Sequence, residues 1–185
     1  MNKCTMEEQR AITDLLVYKL TGEKIQHSKT GRPFVGKPID ISVSHKDKYI
    51  SAAYVTFPYK IGLDIENLKA PLNAKLFLGS IIKNHEILLL KKICKKNNFS
   101  HSSGVILFWS IKESFFKCLD YCLKPGKIDL LGISKKGIVK LSFSDEIKNL
   151  MKKRKLEFCS TRISFKNGYV FSQTIMKKES ANHLD

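Results

Sequence analysis

The run from Gly104 to Cys122, "GVILFWSIKESFFKCLDYC", constrains the fold more than any other stretch of the chain. Its apolar residues recur at helical spacing, so it predicts a long core helix. The helix has to stop before Lys124-Pro125, because proline disfavours the helical conformation in the residue preceding it. The same run holds Lys112, Glu113 and Lys117 close to the single tryptophan. Trp109, Glu113 and Lys117 fall at i, i+4 and i+8 and share one face, with Lys112 and Phe116 on its flank. Either these charges are a solvated helix face, or the helix presents a carboxylate and two cations to something anionic.

The rest of the chain has to cover that helix. Glu7 to Leu20 places Ile12, Leu15, Leu16 and Leu20 at helical spacing and predicts an amphipathic helix. A Gly-, Pro- and Lys-rich loop follows. "IDISVSH", "YISAAYVTF" and "KIGLDIE" read as three strands separated by short polar turns. "ENLKAPLNAKLFLG" is a mixed linker that can start a helix, and "NHEILLLKKICKK" is a short helix with Glu86 in its first turn. The last third reads as two pairs of β-rich runs, the second turning at Asn167-Gly168, the strongest hairpin signal in the chain. Helix, strands, helices, strands make an α+β protein, expected as two similar halves over 1–66 and 67–185.

Bulk properties narrow the class. The 185 residues, 43% of them hydrophobic, suffice for one substantial domain or two small lobes sharing a core. The longest apolar runs are far too short to span a bilayer, and the N-terminus lacks the pattern of a secretory signal, so a soluble cytoplasmic protein is expected. Five scattered cysteines form no C-x-x-C pair and no histidine completes a metal-ligand spacing, which predicts buried, reduced thiols. Lys and Arg outnumber Asp and Glu by 33 to 17, a net charge of +16 that attracts polyanions. Nucleic acid, an anionic membrane surface, a phosphorylated small molecule and an acidic protein are all consistent with it.

Chemistry concentrates in a few places. In "IGLDIE", Asp64 and Glu66 are two apart while Ile61, Leu63 and Ile65 alternate the other way, so both carboxylates leave one face of the strand. Two carboxylates so placed repel unless a cation lies between them, and an oxygen-only donor set favours Mg²⁺. The alternative is an ordinary solvent-exposed strand face. "SVSHKDKY" offers Ser44 and His45 at a strand end, where surface or structural roles are the commoner ones, and Ser42 needs no special role. "GRPFVGKP" adds Arg32 and Lys37 in a loop suited to an anion.

In combination and in this order, G-R-P, S-x-S-H, G-x-D-x-E and W-S-x-K-E-S-x-x-K resemble the 4′-phosphopantetheinyl transferases. The match is closer to the larger, surfactin-synthetase-activating type than to the short trimeric holo-acyl-carrier-protein synthases, and spans Gly31 to about Lys117. The resemblance implies an α+β fold of two similar lobes, a pseudo-dimer with the site between them. It implies transfer of the phosphopantetheine arm of coenzyme A to a serine of an apo carrier protein, releasing adenosine 3′,5′-bisphosphate. Asp64, Glu66 and Glu113 would hold Mg²⁺. Lys117, His45 and Ser44 would contact phosphate, with Lys37 nearby and Arg32 where the family usually has lysine. Glu113, Lys112 and Glu86 are the candidates to activate the serine hydroxyl.

The basic surface then has an explanation, since carrier proteins of this class are generally acidic and coenzyme A is polyanionic. The segment ahead of Gly31 is short for the larger enzymes, so contacts to the adenine or 3′-phosphate are expected either to be missing or to fall to Arg10 or Lys19. A monomer is implied. Two alternatives stand beside this reading: a catalytically silent basic module of the same fold, and a nucleic-acid-binding protein. The latter lacks a reader motif, and its aromatics are not interleaved with basic residues.

Overall fold

A helix opens the chain because its first turn is capped from both directions. The computed structural model describes residues 5–28, 31–72, 80–122 and 124–179, and α1 spans Met6–Thr21. Thr5 Oγ1 accepts from the Glu8 amide and Glu8 Oε2 accepts from the Thr5 amide, a capping box. Gly22, at φ +74°, turns the chain out of the helix. The expected apolar face is only partly used. Val17 is buried with Val35 and Ile41, whereas Ile12 and Leu15 are 48% and 54% exposed. The core beneath α1 is a single narrow cluster and cannot cover a face as wide as the spacing suggested.

Two short strands, β1 (Gln26–His27) and β2 (Pro33–Phe34), pair across the loop. The three expected strands follow: β3 (Ile39–Lys46), β4 (Tyr49–Thr56) and β5 (Tyr59–Asn67). β3 and β4 form a hairpin, while β5 pairs antiparallel with the last strand over nine residues. The strand that ends the first part is therefore an edge of the second part's sheet.

α2 (Ile87–Asn97) and α3 (His101–Leu119) come next. The linker read through Gly79 lies, from Asn73 on, outside the described residues, as do Cys4 and the C-terminal "SANHLD" tail. α3 stops five residues short of Lys124, where Asp120 takes a left-handed conformation. The sheet has the order β5-β9-β8-β7-β6, all neighbours antiparallel. Its other strands are β6 (Ile128–Ile133), β7 (Ile138–Phe143), β8 (Leu156–Lys166) and β9 (Tyr169–Lys178). The β8–β9 turn falls at Asn167-Gly168 as expected.

One helix was not anticipated. α4, Asp145–Lys153, interrupts the last third between β7 and β8. Its signals are ordinary ones: Ser144 as N-cap, Asp145 and Glu146 in the first turn, Lys152 and Lys153 in the last, and buried Ile147 and Met151 four apart. The lysine run disguised it as a charged surface segment.

α3 lies across the sheet and is buried along almost its whole length. Val105 to Phe108 and Ile111 join the larger core with Leu90, Ile93 and Val170. Phe115, Phe116 and Leu119 join a second cluster with Ile147, Leu156 and Met176. The polar positions of α3 meet the sheet through hydroxyls: Ser110 Oγ donates to Ser172 Oγ at 2.9 Å, and Ser114 pairs with Thr174 at 3.0 Å, which in turn pairs with Thr161. Each buried hydroxyl is thus satisfied.

Among the described residues no helix is long and apolar enough to cross a membrane. Of the four described cysteines, all free, only Cys118 is buried; Cys122 and Cys159 are exposed. Cys122 lies past the end of α3, so it does not share a helical face with Cys118.

Candidate functional site

The site begins with an edge that has no backbone partner on one side. The amides of Ile61, Leu63 and Ile65 on β5 point away from β9, and a buried amide needs an acceptor. β3 supplies side chains: Asp40 Oδ2 accepts from Ile61 at 2.8 Å, Ser42 Oγ from Leu63 at 2.9 Å, and Ser44 Oγ from Ile65 at 3.3 Å. Three polar residues at period two in an apolar strand were the available signal. Ser42, read as needing no special role, and Ser44, expected by resemblance beside the phosphate, couple the hairpin to the strand that bears the acidic pair.

On the other side, β5 touches α3 directly. A Cβ at Gly62 would lie 1.9 Å from the carbonyl oxygen of Ser114 and 2.4 Å from the amide nitrogen of Cys118. Glycine is what allows this approach. With the two backbones so close, Asp64 and Glu66 of β5 meet Glu113 of α3, and one oxygen from each lies within 4.8 Å of the others.

Asp64 is 2% exposed. Its Oδ1 accepts from Ser44 Oγ at 3.0 Å and from Lys117 Nζ at 2.8 Å. Its Oδ2 is buried without a hydrogen-bond partner. Lys117 Nζ also lies 3.2 Å from Glu113 Oε1 and 3.1 Å from Ser44 Oγ. Glu66 Oε2 pairs with Lys46 Nζ at 2.6 Å, a contact that no local sequence pattern signals. Burial pushes the Glu113 carboxyl up, and the Asp64 charge adds to it against the pull of Lys117. Burial lowers Lys117, but Asp64 and Glu113 outweigh it and the ammonium ends above its ordinary value.

Three converging carboxylates, one with a buried oxygen left unpartnered, suit a hard divalent cation with oxygen ligands. Beside them a cleft of ≈ 340 Å³ is lined by Glu113, Lys117, Arg32, Ser42, Asp120 and Tyr121, among others. A cleft with acid and ammonium on one wall can receive a phosphate ester and position a nucleophile against it.

The other expected site residues hold the structure around the cluster or lie away from it. Arg32 faces the cleft, but Nη2 donates to both oxygens of Asp40 at 3.0 and 2.7 Å, and Nη1 donates to the Lys117 carbonyl. It clamps β3 to the end of α3. Lys37 Nζ donates to the carbonyl of Thr21 at 2.9 Å and so closes the C-terminus of α1. His45 is exposed and lines an adjoining cleft of ≈ 260 Å³ with Arg10 and His27, sharing Gly31, Pro33 and Val43 with the first.

Lys112 and Glu86 are joined to each other, not to the acidic cluster. Both side chains are 0% exposed and lie 3.0 Å apart. Glu86 also accepts from the amides of Lys83 at 2.9 Å and Leu130 at 2.7 Å, and Lys112 donates to the Ile81 carbonyl. Neither lines the cleft. Adjacent positions on a helix point about 100° apart, so Lys112 turns inward where Glu113 turns to the cleft.

No family model matches the chain, and neither does any curated protein. Among solved structures, the chain is similar to the holo-[acyl-carrier-protein] synthase of Neisseria meningitidis. That likeness has a TM-score of 0.53 and 20% identity, over 64% of this chain and 98% of that one. A coenzyme A complex of the Chronobacterium ammoniagenes ACPS aligns at 0.48 and 15% identity, over 65% and 98%. The holo-ACP synthase of Plasmodium yoelii aligns at 0.47 and 16%, over 65% and 94%. The Neisseria likeness shows the fold, the α+β arrangement of a holo-acyl-carrier-protein synthase.

Proposed function

We propose that this chain is a Mg²⁺-dependent 4′-phosphopantetheinyl transferase of the larger, two-lobed type. It would move the phosphopantetheine arm of coenzyme A onto a serine of an acidic apo carrier protein and release adenosine 3′,5′-bisphosphate. The observation that carries this is the meeting of Asp64, Glu66 and Glu113 beside a lysine-bearing cleft, on a fold shared with a holo-acyl-carrier-protein synthase.

Asp64, Glu66 and Glu113 would hold the metal, which when bound withdraws charge from the pyrophosphate oxygens. Ser44 keeps Asp64 oriented through its hydroxyl. Lys117, on the same wall, supplies an ammonium to the phosphate under attack and to the leaving phosphate. The serine oxygen forms a bond to the β-phosphorus as the bond from that phosphorus to the leaving bisphosphate's oxygen breaks. Of the three candidates for the serine proton, Glu113 alone lines the cleft, within reach of a hydroxyl bound there. Arg10, His27 and His45 in the adjoining cleft would receive the nucleotide end of coenzyme A. A monomer working in the cytoplasm completes the reading, with neither nucleic acid nor membrane as partner.

The test is incubation with coenzyme A, Mg²⁺ and a panel of apo carrier proteins, read by mass spectrometry. A gain of one phosphopantetheine is expected with the natural chain and none with Asp64→Asn. A folded protein that modifies no carrier would overturn the proposal.

A further inference from the structure

β5 carries the acidic cluster near one end and, four residues before Asp64, a lysine that the cluster does not use. Lys60 is half-buried, and among the described residues no carboxylate lies within ion-pair distance of its ammonium. It opens on a cleft of ≈ 420 Å³ formed by the Phe57-Pro58 turn, the start of β3 and the ends of β8 and β9. Arg154 and Lys178 line the same cleft, and Phe57, Tyr59 and Leu156 supply apolar wall.

The charge in this cleft is not balanced from within. Its one lining carboxylate, Asp40, already accepts twice from Arg32 Nη2 and once from the Ile61 amide. Arg154 uses Nη1 on the carbonyls of Leu119 and Asp120, which leaves the rest of its guanidinium fork. Burial lowers the Lys60 pKa and the Arg32 charge lowers it further, outweighing the opposing pull of Asp40 and Asp120, so the ammonium is held at a cost that an arriving anion would offset. The lysines of the β6–β7 turn, Lys135 and Lys136, also line a cleft, but they are exposed and solvated. Phe57 and Tyr59 are 62% and 41% exposed, a larger apolar display than a purely ionic site requires.

We propose that this cleft is a second anion-binding site, separate from the acidic cluster, for a phosphate or carboxylate group carried on a flat apolar body. The anionic group pairs with Lys60 and with Arg154 or Lys178, and the body lies on Phe57, Tyr59 and Leu156.

The test is a titration of the full chain with phenyl phosphate, followed at the backbone amides by NMR, with benzoate and inorganic phosphate as separate arms. Saturable shifts are expected at Phe57, Tyr59, Lys60 and Lys178. Lys60→Met should weaken binding about tenfold or more, the loss expected when one charge-assisted contact to an anion is removed. Lys178→Met, at an exposed position where the fold is not at stake, should weaken it less but measurably. Stronger binding of phenyl phosphate than of benzoate would identify phosphate as the preferred group, and the reverse would identify carboxylate. Shifts confined to other regions, or binding unchanged in both variants, would overturn the proposal. Inorganic phosphate binding as tightly as phenyl phosphate would remove the apolar part of it. None of these readouts depends on phosphopantetheine transfer.

Discussion

Gly62→Ala tests whether the contact between β5 and α3 makes the acidic cluster. The added Cβ would sit 1.9 Å from the Ser114 carbonyl oxygen, 2.4 Å from the Cys118 amide nitrogen and 2.8 Å from the Cys118 Cβ. Ordinary van der Waals contact begins at about 3.4 Å, so strand and helix must part by roughly 1.5 Å at this point. Two of the three atoms are backbone, and α3 is packed on both core clusters, so no side chain can swing aside to relieve the clash. Overpacking of this kind costs about 1–3 kcal/mol and occasionally more. At about 2–4 °C per kcal/mol for a chain of this size, the melting temperature should fall by roughly 2–12 °C.

The same displacement acts on the carboxylates. Their oxygens lie within 4.8 Å of one another, and Mg²⁺ bonds oxygens at about 2.0–2.1 Å. Moving Glu113 outward by more than 1 Å takes it beyond the shared reach of Asp64 and Glu66. Calorimetric titration with Mg²⁺ should therefore show affinity reduced about tenfold or more. Gly132→Ala is the control, since a Cβ there meets nothing within 4 Å, and its melting temperature should stay close to that of the natural chain. A Gly62→Ala protein with an unchanged melting temperature and unchanged Mg²⁺ response would refute the reasoning.

Lys112→Met leaves the Glu86 carboxylate buried without its counter-charge, which costs about 3–5 kcal/mol; Lys112→Met with Glu86→Gln should recover much of the lost melting temperature. Carrier modification by the double variant would separate a structural pair from a catalytic one. Lys117→Met should lower the rate of transfer by about 10²–10³-fold, the usual loss of one fixed charge partner in a transition state. Without it Asp64 and Glu113 repel each other, so Mg²⁺ should raise the variant's melting temperature more than it raises that of the natural chain. Burial pushes the Cys118 thiol up to about 12 from 9.0. At pH 8 only ~10⁻⁴ of it is thiolate, so it should resist labelling in the folded protein while Cys122 reacts. Between pH 9 and 12 the folded state keeps a proton that the unfolded chain gives up, so this thiol should make stability fall as pH rises through that window. Rapid labelling of Cys118 at pH 8 in the native protein would contradict its burial.

The local signals legible in the sequence were those carried by periodicity and by turn residues. The α3 run, the three strands over 39–67 and the Asn167-Gly168 turn are legible because side-chain spacing, glycine and proline act within a few residues of themselves. The shared face of Asp64 and Glu66 is of the same kind, since it follows from strand geometry alone. The resemblance in motif order added Glu113, which no local pattern ties to β5.

Tertiary structure decided the rest. Whether a charged residue on α3 faces a cleft or a core depends on what packs against each side, and that separated Glu113 from Lys112, its neighbour. Glu86 went inward with Lys112 because the Leu130 amide and the Lys83 turn needed an acceptor there. Arg32 and Lys37 read as anion contacts, and in the fold each also donates to a backbone carbonyl at a helix end. Ser42 looked incidental until β5 lay beside it with an amide to satisfy. Apart from the Lys83 amide, three residues from Glu86, the deciding partners were distant in sequence and close in space, and buried polar groups must find partners wherever the fold places them.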